Sequence, residues 1–160
     1  MQGEHQRQAQ RGVGYLFMLL AVALLSLGIG KAVEVYTVSA QREKEAELVR
    51  VGALYRQAIK DYYLSAPGGQ HRYPARLEEL LKDSRHLVTR RYLRRLHADP
   101  MTGQPFTPLL APQGGIWGVA SSSSRSPIRT APPREATVQR GEVPSYQGWH
   151  FVYDGIDDGR

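Results

Sequence analysis

No cysteine occurs among the 160 residues, which excludes thiolate zinc sites, disulfide frameworks and cysteine nucleophiles and leaves the redox compartment open. The five histidines, at positions 5, 71, 86, 97 and 150, show no metal-ligand spacing. No Gly-x-Ser-x-Gly, His-Glu-x-x-His or phosphate-loop pattern is present. His97 and His150 read as edge or core residues rather than acid-base groups. The residue types therefore argue against an enzyme, and they nominate no catalytic residue, no cofactor and no metal.

Charge offers the other chemistry. Lys plus Arg is 21 against 15 for Asp plus Glu, a net charge of +6 that disfavours strongly cationic partners. Lys82, Arg85, Arg90, Arg91, Arg94 and Arg95 are opposed only by Asp83, with His86 and Tyr92 interleaved. Phosphate binding needs such clusters, but no stacking platform accompanies this one, so nucleic acid is the disfavoured partner. The favoured reading is a solvated face, with Arg90, Arg91, Arg94 and Arg95 available as an anion or subunit contact. Asp99-Pro100-Met101-Thr102-Gly103 reads as a turn: Asp accepts from the backbone two residues on, Pro presets φ, and Gly tolerates left-handed geometry. Asp99 is thus expected to be structural rather than catalytic. Asp154, Asp157 and Asp158 read as a frayed acidic tail.

The elements that hold these residues start with an uneven distribution of apolar ones. Mean hydropathy is −0.43, yet Gly12 to Gly30 is 19 residues without a charge, between Arg11 and Lys31. As a helix this run spans about 28 Å, close to a bilayer core. Arg7 and Arg11 precede it with Glu4 as the lone acid, so the positive-inside rule places residues 1–11 in the cytoplasm and exports the rest. Three readings compete: a secretory signal cleaved at Val38-Ser39-Ala40, a plain signal anchor, and a membrane-rooted spine. The spine rests on the residues beyond the run, for nothing after Gly30 breaks a helix before Pro67 except Gly52. Leu48, Val51, Tyr55, Ala58, Ile59, Tyr62 and Tyr63 recur at steps of three and four, an apolar stripe that needs a cover. Pro67-Gly68-Gly69 ends the element, and a rod from Val13 to Leu64 is about 78 Å long.

Between membrane run and stripe, Glu34 and Glu43 to Glu47, with Arg42, Lys44 and Arg50, are expected to form an exposed charged middle. Ser26, Gly28, Gly30 and Ala32 give overlapping small-xxx-small pairs that permit close helix approach in lipid, and the two glycines weaken the helix there. Beyond the spine, Tyr73 to Leu81 reads as a short helix with Pro74 near its first turn and Leu77, Leu80 and Leu81 inward. Residues 106–110, 115–120 and 149–153 are β-prone, and a small antiparallel sheet of them would cover the stripe. Residues 121–148, with four serines in a row and Pro127, Pro132, Pro133 and Pro144, read as a long loop, either a contact element or mobile.

Taken in order, these pieces resemble the type IV pilin-like proteins, specifically the G-type pseudopilins of type II secretion systems. The residues that carry the resemblance are the basic leader ending Arg11-Gly12, the apolar run, Tyr-Pro-x-x-Leu-Glu-Glu-Leu at 73–80, Asp-Pro-Met-Thr-Gly at 99–103 and Gly-Ile-x-Gly-Val-x-Ser from Gly115. The resemblance implies an α+β, pilin-like fold: a long N-terminal helix, its first half transmembrane and its second amphipathic, packed on a small antiparallel sheet. It divides the chain into a leader (1–12), a transmembrane segment (13–30), the periplasmic half of the same helix (31–65) and a periplasmic domain (66–160). It further implies cleavage by a prepilin peptidase after Gly12 and methylation of Val13, with cleavage after Gly14 the alternative. The implied protein is a structural subunit of a pseudopilus or related filament in the bacterial inner membrane. Its partners would be other pseudopilins and an assembly platform with a cytoplasmic ATPase. The alternatives are a non-polymerising membrane-anchored periplasmic protein and a DNA-binding competence-type pilin.

Two departures from the family pattern matter. Members usually carry glutamate at the fifth mature position, where this chain has Phe17. Tip-type minor pseudopilins also lack that glutamate, so the departure implies a minor or initiating subunit. G-type members also hold calcium in a late loop, but residues 121–148 contain no Asp and only Glu135 and Glu142, too few oxygen ligands for a tight site.

Overall fold

A computed structural model of the chain describes residues 5–129, 131–138 and 145–155, without the side-chain surroundings of residues 5–13 and 27–35. One α-helix, α1, runs over His5–Leu64, so it begins inside the segment read as a leader. The chain divides into two compact units, Met1–Gln41 and Arg42–Arg160.

In the first unit every described side chain from Gly14 to Ser26 is exposed, including Tyr15, Leu16, Phe17, Met18, Leu24 and Leu25. The Ser26 hydroxyl donates back to the Val22 carbonyl at 2.8 Å, so it adds no unmet polar group to this apolar stretch. Among the described residues no helix is long and apolar enough to cross a membrane.

The second unit is built on the stripe. Leu48, Val51, Tyr55, Ala58, Ile59 and Tyr62 are all buried, and each large aliphatic removed from water there contributes about 1.5–3 kcal/mol. They face a four-stranded antiparallel sheet of β1 (Thr107–Leu110), β2 (Ile116–Ala120), β3 (Thr137–Val138) and β4 (Trp149–Val152), in the order β1-β2-β4-β3. Trp149, Phe151 and Tyr153 are buried while His150 and Val152 are half-buried, the period-two pattern of a strand with one face on a core. Val119 pairs with Phe151 at the sheet centre, and both are fully buried. The Arg56 guanidinium donates to the Val152 carbonyl at 2.9 Å and ties helix to strand. The architecture is thus α+β, a helix on a small antiparallel sheet.

Gly52 explains how closely the two layers meet. A Cβ built there would lie 2.4 Å from the Phe151 ring, so the ring occupies the space a side chain would take. Sequence alone marks Gly52 as a helix defect.

Other elements depart from expectation. The segment read as a helix over Tyr73 to Leu81 is a 3₁₀ turn, Leu77–Leu80. Tyr92 and Leu93 both donate backbone N–H to the Leu80 carbonyl, at 2.9 and 3.0 Å, which uses the acceptor a continuing helix would need. Leu80 is nevertheless buried, with Leu77 and Leu81 packed against the core. Within 121–148 the structure has β3 and a 3₁₀ turn, Tyr146–Gly148, neither of them legible in the sequence. Its described parts are attached: Tyr146 donates to the Arg125 carbonyl and Gln147 to the Ser123 carbonyl, both at 3.1 Å.

Replacing Gly52 by Ala improves intrinsic helix propensity by about 1 kcal/mol yet is expected to lower stability, because overpacking costs about 1–3 kcal/mol beyond that gain. Denaturant unfolding of Gly52→Ala checks this, and Phe151→Leu in the same chain is expected to restore part of the loss.

Candidate functional site

Three buried carboxylates hold the second unit's segments together, and a basic loop projects from it. Asp99 opens the turn that continues through Pro100, half-buried, to Gly103. Its Oδ1 accepts from the Met101 N–H at 2.9 Å. Oδ2 accepts from the Thr102 hydroxyl at 3.0 Å, the Ser121 hydroxyl at 2.7 Å and the Ser122 N–H at 3.1 Å. Gly103 takes φ +74, a left-handed conformation that a side chain would strain, and donates its N–H to the Asp99 carbonyl at 2.7 Å. Asp99 is fully buried with both carboxylate oxygens hydrogen-bonded, a structural joint between the turn and the serine run.

Glu45 overturns the expectation that Glu43 to Glu47 are all exposed. It is only 3% exposed. Its Oε2 accepts from the Tyr146 hydroxyl at 2.8 Å and the Ile128 N–H at 3.0 Å, and the Arg129 guanidinium lies 3.2 Å from Oε1. A carboxylate taken out of water must be matched by donors of this kind, and these come from the long loop. Glu47 does stand in solvent, where Arg50 pairs with it at 2.6 Å.

Asp83 is the third, and it removes Arg85 from the basic patch predicted for residues 82–95. The Arg85 guanidinium lies 2.7 Å from Asp83 Oδ2 and 2.9 Å from Oδ1. It also stacks over the Tyr62 ring, with Cζ 3.5 Å from the centroid. The Tyr92 hydroxyl donates to the same carboxylate at 2.9 Å, and its ring packs edge-on to Tyr62 at 5.7 Å. Burial alone raises the Asp83 carboxyl, but hydrogen bonds from the Arg85 side chain and backbone and from Tyr92, with the Arg85 charge, hold it down to about 2. Burial and the neighbouring Glu79 carboxylate push the Tyr62 phenol up.

Arg90, Arg91, Arg94 and Arg95 remain exposed. Arg94 and Arg95 join Leu54, Tyr92, Leu93 and His97 around a shallow groove of about 410 Å³. The Tyr55 hydroxyl accepts from the His97 N–H at 2.9 Å and donates to its carbonyl at 3.1 Å, fixing this segment to α1. His150 sits half-buried in β4.

The processing and membrane-packing residues are in the first unit. Phe17 is 66% exposed and Ser26 is exposed with its hydroxyl satisfied. The surroundings of Gly12, Val13, Gly28 and Gly30 lie outside the described residues, as do Glu142, Asp157 and Asp158. Among the described residues no group of three His, Cys, Asp or Glu side chains converges on a point where a metal could bind. Comparison with models of protein families, with curated proteins and with solved structures returns no match.

The arrangement is structural: Glu45 and Asp99 join segments that are distant in sequence, and Asp83 holds Arg85, which in turn reaches the Tyr62 carbonyl and ring on α1. Sequence reasoning missed Glu45 because it lies in a charged run, and its sign as a buried group, donors near positions 128 and 146, is not local. It missed the Asp83–Arg85 pair because five further basic residues surround it.

Because the Asp83 value is depressed, its stabilisation is complete above the ordinary 3.8 and is lost as pH falls through about 2. Urea midpoints are expected to fall across that window, and Asp83→Asn is expected to flatten the dependence while lowering the neutral-pH stability by about 3 kcal/mol. Glu45→Ala removes the carboxylate that accepts from both the Tyr146 hydroxyl and the Ile128 N–H, a cost of about 1–3 kcal/mol, and is expected to speed proteolysis within 121–148. Glu45→Gln keeps an acceptor for Tyr146 and Ile128 and is expected to show a smaller effect in the same assay.

Proposed function

We propose that this chain is a structural subunit of a type II secretion pseudopilus or a related type IV pilus-like filament, held in the inner membrane by residues 13–30 with residues 31–160 in the periplasm. The observation that carries the reading is α1 itself, a single helix over His5–Leu64. Its described side chains are exposed and apolar from Tyr15 to Leu25, whereas Leu48 to Tyr62 forms the core of an α+β unit. An apolar surface exposed all round a helix is stable only in lipid or against other helices. A filament supplies the second environment when subunits leave the first.

In this reading the chain does no chemistry. It is processed by a prepilin peptidase, lifted from the bilayer by an assembly platform whose cytoplasmic ATPase provides the energy, and packed against other pseudopilins. Phe17 stands where a carboxylate would carry part of the about 2.5–3.5 kcal/mol that a charged side chain costs at a membrane centre, so the membrane-resting form is favoured and self-docking is weaker. That balance fits a minor or initiating subunit.

Intact-mass analysis of the chain from membranes tests the reading. Cleavage after Gly12, or after Gly14, with a methylated new amine is the expected result. Cleavage after Ala40, or no cleavage, favours a non-polymerising periplasmic protein instead. Phe17→Glu is expected to change incorporation into filaments in a shear-release assay, and an unchanged yield contradicts the role given to Phe17.

A further inference from the structure

We propose that the loop over residues 84–91 is a lipid-docking element, which inserts Leu87 and Val88 into an anionic phospholipid surface while Arg90 and Arg91 engage the headgroups. Leu87 is fully exposed and Val88 is 80% exposed, two adjacent aliphatic side chains with no cover. The tip is not slack. At its base the Asp83 N–H donates to the Arg90 carbonyl at 2.9 Å, and the buried Asp83 carboxylate accepts from Arg85 and Tyr92. The loop is therefore held closed at its neck, and its tip carries the two exposed aliphatics.

Chemistry decides the occupant. From Ser84 to Leu96 there is no acidic residue, and Arg90, Arg91, Arg94 and Arg95 are all exposed. An apolar tip beside a cationic collar matches a bilayer interface, where acyl chains accept the tip and anionic headgroups accept the guanidinium groups. Arginine forks also suit phosphate geometry. Nucleic acid would match the charge but not the aliphatics. It also needs a free stacking face, and the Tyr92 ring is already packed on Tyr62 with its hydroxyl on Asp83. Lipid docking by this loop does not depend on the filament reading, because it draws only on residues 83–96 and their contacts.

The absence of native cysteine allows a clean test in the full chain. Thr89→Cys, beside the tip, is labelled with an environment-sensitive fluorophore and mixed with vesicles of phosphatidylglycerol and phosphatidylcholine, or of phosphatidylcholine alone. The apolar run from Gly12 can bind both kinds of vesicle, but the label reports only the loop. The expected result is a blue shift, with quenching by nitroxide-bearing lipid, on the anionic vesicles and not on the neutral ones. Arg90→Ala with Arg91→Ala is expected to weaken loop insertion about thirtyfold. Leu87→Asp with Val88→Asp is expected to abolish it while leaving the melting transition in place. No shift on anionic vesicles, or equal shifts on both kinds, overturns the proposal. So does a shift that needs double-stranded DNA, or one that grows with protein concentration without lipid, since these assign the loop to nucleic acid or to a second copy.

Discussion

The approach of α1 to β4 at Gly52 is the constraint from which the second unit is built. The Phe151 ring fills the volume a side chain at 52 would need, and this lets the helix backbone lie close on the sheet. On either side of that point the stripe residues Leu48, Val51, Tyr55 and Ile59 reach the same core as Val119, Trp149 and Phe151. With only four strands, two of them at the edges, the sheet has no other broad apolar partner among the described elements. The helix is part of the core, and a four-stranded sheet stripped of it would expose its aromatic face to water.

Polar joints finish what the apolar contact begins. Glu45 on the helix reaches residues 128, 129 and 146, Asp99 joins its turn to Ser121 and Ser122, and Asp83 with Arg85 fixes the chain beside Tyr62. Each carboxylate is buried and matched by several donors, which removes the desolvation cost that would otherwise forbid it. The long loop, poor in large apolar residues, is held by this means: its backbone and hydroxyl donors are brought to fixed acceptors.

Local pattern made part of this legible. The helical stripe, the three longer strands and the Asp99 turn each have a periodicity or turn chemistry contained within a few residues, and the α+β arrangement comes from them. What the sequence did not disclose has its cause elsewhere in the chain. Glu45 is buried by a hydroxyl 101 positions away, and Gly52 is explained by a ring that no helix-propensity argument can see. Leu80 ends its short helix because residues 92 and 93 claim its carbonyl, and Arg85 leaves the basic surface because Asp83 and Tyr62 capture it. The two-residue β3 is too short to show alternation at all. Within the candidate site, charge runs concealed the structural members and displayed only the exposed arginines.

These contacts give the proposed role its mechanical content. A subunit drawn from a membrane through its N-terminal segment must transmit the load to its folded part, and here the element that would be pulled is the element that the fold is wrapped around. Residues 48–62 thus share one core with β2 and β4. Native-state hydrogen exchange on the full chain tests it most directly. Amides of residues 48–62 are expected to exchange through the same global opening, at the same slowest rates and with the same denaturant dependence, as those of residues 117–119 and 150–152. Fast, denaturant-independent exchange across 48–62 while the strands stay protected would contradict it.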